Sequence, residues 1–192
     1  MRVIICQFIF ILLINAFICS EIRANSLILS NQTAQKGDEV VFELSIDNAP
    51  NDVTCFGFQV VYPADHLQFK PDEYEIGQLL LDDFGSLRIG EDNLGLIRIG
   101  WHSNKENFKI PKHASDVLLK LKFTILSCQN ANIELVSLVD HFNDWSVRNG
   151  HFQIDENSFC RLDINGDNVI GLPEIIGLIK YLADEKTYRH HK

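Results

Sequence analysis

Apolar and polar residues alternate with a period of two through the middle of this chain, and that period predicts β-strands. Within residues 39–46, Val40, Phe42, Leu44 and Ile46 share one face. Residues 56–62 alternate likewise until Pro63, which stops the run. Segments 87–89 and 97–101 read as the arms of a hairpin whose turn is 90–95. In 117–125, Leu119, Leu121, Phe123 and Ile125 face inward, while Lys120, Lys122 and Thr124 face outward. Segments 133–139 and 151–154 complete the set. Short alternating strands separated by turns predict an all-β fold, an antiparallel sandwich. No helix is needed before Leu172.

The pattern changes at both ends. Residues 3–18 are almost wholly apolar, interrupted by Gln7 and Asn15 and preceded by Arg2, as in an export signal. Cleavage fits after Ser20 or Ala24, so 1–24 is set aside from the fold. An uncleaved N-terminal anchor is the alternative, and the one route by which this chain reaches a membrane. Near the C-terminus the apolar spacing becomes helical. Ile175, Ile176, Ile179 and Leu182 make one stripe, and Pro173 falls in the first turn, where a missing N–H is tolerated. The sandwich therefore takes 25–157, a loop and helix take 158–185, and 186–192 is a polar tail. One helix on some twenty residues is too little to bury a core. Its stripe must pack on a partner, on a second copy, or on the chain's own sandwich.

Charge narrows the function classes. The 192-residue chain carries a formal charge of −9. Removing 1–20, whose single charged side chain is Arg2, makes it −10. An acidic exported protein is a poor match for nucleic acid and a good one for divalent cations. Past the leader three cysteines remain, Cys55, Cys128 and Cys160. One disulfide is available among them and the sequence does not choose the pair. Their spacing fits no zinc site.

The most specific motif is the loop from Asp163 to Glu174. Asp163, Asn165 and Asp167 place oxygen side chains at alternate positions, so they converge on one point from one side of a tight turn. The carbonyl of Val169 adds a fourth oxygen, and Glu174 is long enough to reach back with both of its own. Hard cations with six to eight oxygen ligands take this spacing, and Ca2+ is the expected cofactor. The sharp turn at the sixth position uses Asn168 where Gly is usual; Asn tolerates the left-handed region better than other non-Gly residues. A polar Asp/Asn/Gly surface turn is the plainer alternative, but it does not call for Ile170 inside the loop and Glu174 at its end.

With no entering helix before it, this loop and the helix after it resemble one repeat of a dockerin, over 161–183. The departures are specific. No second repeat is present, the twelfth position is Glu174 where dockerins usually have Asp, and the recognition positions ten and eleven are Leu172 and Pro173. The sandwich region resembles a cohesin. The resemblance rests on Gly37-Asp38 leading into a strand, on Phe56-Gly57-Phe58-Gln59-Val60-Val61-Tyr62-Pro63, on Gly95-Leu96-Ile97-Arg98-Ile99-Gly100-Trp101, on 118–123, and on Asn149-Gly150-His151-Phe152. It implies a jelly-roll β-sandwich that binds dockerin-bearing or other extracellular proteins, secreted or held at a bacterial surface. The implied setting is polysaccharide degradation.

Outward positions supply candidate contacts. Gln59, Arg88, Arg98, Lys120 and Lys122 are expected to face solvent, and their basic character suits an acidic partner. An ordinary solvated sheet face is the alternative. Trp101 follows Ile97 and Ile99 in phase and reads as core. Trp145 lies in the polar segment 140–145 and is the candidate for stacking on a sugar, or else a loop aromatic covering the sandwich end. No catalytic constellation stands out. Asp82-Asp83 and Asp72-Glu73 are adjacent pairs that read as solvated loop charges, not the opposed carboxylates of a glycosidase, and neither a Gly-x-Ser-x-Gly nor a His-Glu-x-x-His motif occurs. The expectation is a non-catalytic calcium-binding interaction protein. The alternative is a carbohydrate-binding module with a structural calcium clasp and polysaccharide as its ligand.

Overall fold

The computed structural model describes residues 26–155, 171–177, 179 and 180. The strands in chain order are β1 (Ser26–Leu29), β2 (Gln32–Ala34), β3 (Glu39–Asp47), β4 (Cys55–Val61), β5 (Leu67–Phe69) and β6 (Glu75–Ile76). They continue with β7 (Arg88–Asn93), β8 (Leu96–His102), β9 (Asp116–Ile125), β10 (Ala131–Asp140), β11 (Ser146–Arg148) and β12 (Gly150–Ile154). One sheet runs β11-β1-β3-β9-β5, with β6 also on β9, and the other runs β2-β12-β10-β4-β8-β7. Residues 172–177, 179 and 180 are helical.

Two facing sheets follow from the alternation. Val40, Phe42, Leu44 and Ile46 of β3 are all buried, as are Leu119, Leu121, Phe123 and Ile125 of β9 beside them. Phe56, Phe58 and Val60 of β4 and Ile97, Ile99 and Trp101 of β8 face them from the second sheet. Each such side chain contributes roughly 1.5–3 kcal/mol by leaving water. Edge-to-face rings fill the space between the sheets. Phe123 meets Phe42 at 5.5 Å and Tyr62 at 5.1 Å. Leu118, also fully buried, sits where the β3–β9 register slips between Leu44 and Ser45, which lets two successive residues turn inward.

The structure departs from the expected pattern in three places. The hairpin turn is shorter than 90–95: β7 continues to Asn93, and the two turn residues are Leu94 and Gly95. Gly95 has φ +89°, and a Cβ there would stand 2.7 Å from the Tyr62 carbonyl, so glycine is required by both conformation and space. Pairing is not wholly antiparallel, because β1 pairs with β11 and β2 with β12 in parallel. Finally, five strands of two to four residues (β1, β2, β5, β6 and β11) are too short to show a period.

Among the cysteines, Cys128 is disulfide-bonded and Cys55 is a free thiol. The bridge therefore excludes Cys55, and its other half lies outside the described residues, as Cys160 does. The leader 1–24 and the tail 186–192 also lie outside them.

Candidate functional site

The outer face of the second sheet is built from β10, β4, β8 and β7, and register places its residues in rows. One row reads Val139, Gly57, Gly100, Arg88, and the next reads Val136, Gln59, Arg98, Gly90. Three glycines thus leave the centre of the face without side chains. A shallow depression of about 380 Å³ lies over Gly57 and Gly100, bordered by Cys55, Arg88, His102 and Asp140. Half-exposed Val139 and Val61 add apolar surface.

Two local features shape this floor. The β4–β10 register shifts between Val136 and Val139, and Ser137 adopts φ +53°. This bulge turns Val139 over β4. A Cβ at Gly57 would meet Val139 Cγ2 at 2.8 Å, so the close approach needs glycine. At Gly90, by contrast, a Cβ would meet nothing within 4 Å, and at Gly100 only the Phe56 carbonyl at 3.9 Å. Neither of those two positions needs glycine to avoid a clash at Cβ.

The five basic and polar residues expected on one face are divided by the fold. Gln59, Arg88 and Arg98 lie on this face, but Lys120 and Lys122 lie on β9, in the opposite sheet. The alternation reported inside against outside correctly, yet each sheet of a sandwich has its own outside. The two lysines are also neutralised. Lys122 Nζ lies 2.7 Å from Glu39 and 2.6 Å from Glu73, and Lys120 Nζ lies 3.4 Å from Glu75 and 3.7 Å from Glu43. The Glu39 and Glu73 carboxylates hold the Lys122 ammonium above the usual lysine range, and Lys122 holds Glu73 below the usual carboxylate range. On the second sheet Arg98 pairs with Asp92 at 2.7 Å. Arg88 donates to the Leu87 carbonyl at 2.9 Å and makes no ion pair among the described residues. Arg88 is thus the basic side chain of this face left open to a partner, while Asp140 and the exposed Glu134 on β10 add negative charge beside it.

One end of the face is anchored by a loop that the sequence read only as solvated acid. Asp83 is buried, and its Oδ2 accepts from the Ser103 hydroxyl at 2.7 Å and from the N–H groups of Asn104 at 2.9 Å and Lys105 at 3.2 Å. Desolvation pushes this carboxyl up, but those donors together outweigh it and leave it below the usual range. The Asp83 carbonyl accepts from Trp101 Nε1 at 2.7 Å. Trp101 is thus a satisfied core residue, as its phase implied.

Of the calcium residues, Asp163, Asn165, Asp167 and Val169 lie outside the described residues. Glu174 is described and is 3% exposed. Its Oε2 accepts from the Gly171 N–H at 2.7 Å, the backward reach of a helix capping box. Its Oε1 is buried and has no hydrogen-bond partner among the described residues. A buried, half-satisfied carboxylate is costly, and a cation at the loop would relieve it. Glu174, the one expected calcium residue among those described, thus presents the spare carboxylate oxygen that a cation ligand needs. In the helical stripe, Ile175, Ile176 and Ile179 are 52%, 44% and 60% exposed.

No protein-family profile matches the chain, and no curated protein matches its sequence. Its fold has close counterparts among solved structures. The seventh ScaB type I cohesin of Pseudobacteroides cellulosolvens is 16% identical, with a TM-score of 0.59 over 69% of this chain and 92% of that one. The sixth cohesin of the Acetivibrio cellulolyticus scaffoldin B, solved in complex with a dockerin mutant, is 14% identical. Its TM-score is 0.57 over 69% and 99% of the two chains. A non-cellulosomal cohesin from the hyperthermophilic archaeon Archaeoglobus fulgidus is 16% identical, with a TM-score of 0.54 over 69% and 91%. The class is an all-β sandwich with a cohesin-like fold.

Proposed function

We propose that this chain is an exported, non-catalytic assembly module that docks a dockerin-bearing protein on the outer face of its second sheet. The glycine floor formed by Gly57, Gly90 and Gly100 carries this reading. Side chains are absent where a partner helix would lie, and apolar Val139 and charged Arg88 and Arg98 stand at the margins. Export is supported by the apolar leader and by the disulfide at Cys128, since such bonds persist in oxidising compartments. The polysaccharide-degrading setting comes from the cohesin resemblance. Gly100→Val tests the face. It fits a strand and meets no clash at Cβ, so the melting temperature is expected to hold while affinity in a dockerin titration falls at least tenfold. Unchanged affinity would falsify this docking face.

The appendage has a separate role in the same proposal. Asp163, Asn165, Asp167, the Val169 carbonyl and Glu174 bind calcium, which fixes the start of the helix. Its apolar stripe is then presented to a partner in trans, because the described part of the stripe is exposed.

A further inference from the structure

A second concave site lies at the end of the sandwich and adjoins the glycine floor at Asp140, which lines both. Its cavity of about 420 Å³ is lined by Trp145, His141, Asn143, Asp144, Asp140 and Asn51, among others. That volume is in the usual range for small-ligand pockets, roughly 300–1,000 Å³.

The aromatic wall is braced from behind. Trp145 is half-buried and packs on Phe142 at 4.6 Å. Phe142 is fully buried and stacks on Phe56 at 4.6 Å with the rings 4° from parallel. Phe56 in turn stacks on Trp101 at 5.4 Å. The indole is therefore the outermost ring of a column that runs into the core. The loop that carries it is fixed by successive turns. Asn143 N–H donates to the Asp140 carbonyl at 3.1 Å and Trp145 N–H to the Phe142 carbonyl at 3.1 Å. Asp140 and Asp144 adopt φ +57° and +64°, which Asp tolerates.

The polar groups around the indole are mostly acceptors. Asn143 Nδ2 donates to Asp144 Oδ2 at 3.0 Å, which leaves Asn143 Oδ1 and Asp144 Oδ1 for a ligand. His141 is held through Nδ1, 3.1 Å from the Cys55 carbonyl and 3.3 Å from its Sγ, so Nε2 is its ligand-facing nitrogen. Asn51 Oδ1 and the Asp140 carboxylate add further acceptors. A ligand suited to these groups brings several hydroxyl donors, no negative charge, and an apolar face for the indole. Those are the properties of a neutral saccharide. A cation is a worse match, because no group of three or more His, Cys, Asp or Glu among the described residues is placed to hold one.

We propose that Trp145, with Asn51, His141, Asn143 and Asp144, forms a saccharide-binding site at the sandwich end. The two sites meet at Asp140 but are otherwise lined by different residues, so one chain would hold a protein on its sheet and a glycan at its end.

The test is a titration of the purified chain with cellohexaose, xylohexaose and mannohexaose. It is followed by calorimetry and by tryptophan emission, with calcium present and with EDTA. The chain has two tryptophans and Trp101 is buried, so an emission change reports on Trp145. The expected result is saturable binding of at least one sugar. Asn143→Ala, an exposed change that leaves the fold intact, should weaken it at least fivefold, and Trp145→Ala should abolish it. Gly100→Val should leave it unchanged, which separates this site from the docking face. No binding of any sugar up to about 10 mM, where even weak single-site ligands register, would overturn the proposal. So would binding that survives both Asn143→Ala and Trp145→Ala, or variants that alter calcium binding alone.

Discussion

Tyr62 follows β4 in the inward phase of Phe56, Phe58 and Val60, and its hydroxyl donates to Glu91 on the neighbouring hairpin. Burial first, and then the Glu91 carboxylate, push its phenol up to about 12 from an ordinary 10.0. Because the folded value is raised, its contribution to stability is complete below the unfolded value. It is lost as pH rises through the folded one. Urea midpoints are therefore expected to fall between roughly pH 10 and 12. Tyr62→Phe should flatten that fall and lower stability at neutral pH. An equally steep alkaline loss in Tyr62→Phe would remove Tyr62 as its source. The position of Tyr62 inside was legible from phase alone. Its partner was not, because Glu91 is 29 residues away and looks like any hairpin charge in the sequence. The same holds for Asp83, read as a solvated loop acid and found buried on three donors.

At the scale of the element, alternation identified strands of seven residues or more and missed those of two to four. Two or three residues cannot distinguish a period of two from chance. It also said which lysines face outward but not onto which sheet. That difference yields opposite expectations for two charge reversals. Arg98→Glu, on the proposed docking face beside Asp92, is expected to weaken dockerin binding and leave stability nearly unchanged. Lys122→Glu is expected to leave binding unchanged and to lower the melting temperature, since it sets a third carboxylate between Glu39 and Glu73. Removing that ammonium should also let Glu73 titrate at a higher pH. In the native chain Glu73 has a depressed pKa, so its contribution is present above the unfolded value of 4.5 and is lost as pH falls. Calorimetric melts of both variants, paired with dockerin titrations, check this. Weakened binding by Lys122→Glu with Arg98→Glu silent would move the interface to the first sheet.

For the whole molecule, the question is how the sandwich and its C-terminal loop and helix work together. Calcium is expected to raise the melting temperature of the native chain. Asp163→Ala combined with Glu174→Ala should remove both calorimetric calcium binding and that shift. With Glu174 also leaving the Gly171 N–H, the helix should become more sensitive to protease even without calcium. Calcium affinity unchanged in the double variant would place the cation elsewhere.

The sequence by itself determined an all-β sandwich, its main inward residues, the calcium-loop motif and the resemblance to cohesins, because these rest on local spacing and short motifs. Tertiary structure alone decided which outward residues share a sheet, which glycines meet to form a floor, and that Val139 turns over Gly57. It also gathered Asn51 with 140–145 around Trp145, residues about ninety positions apart. Register and sheet order are set by long-range pairing, and no local period encodes them.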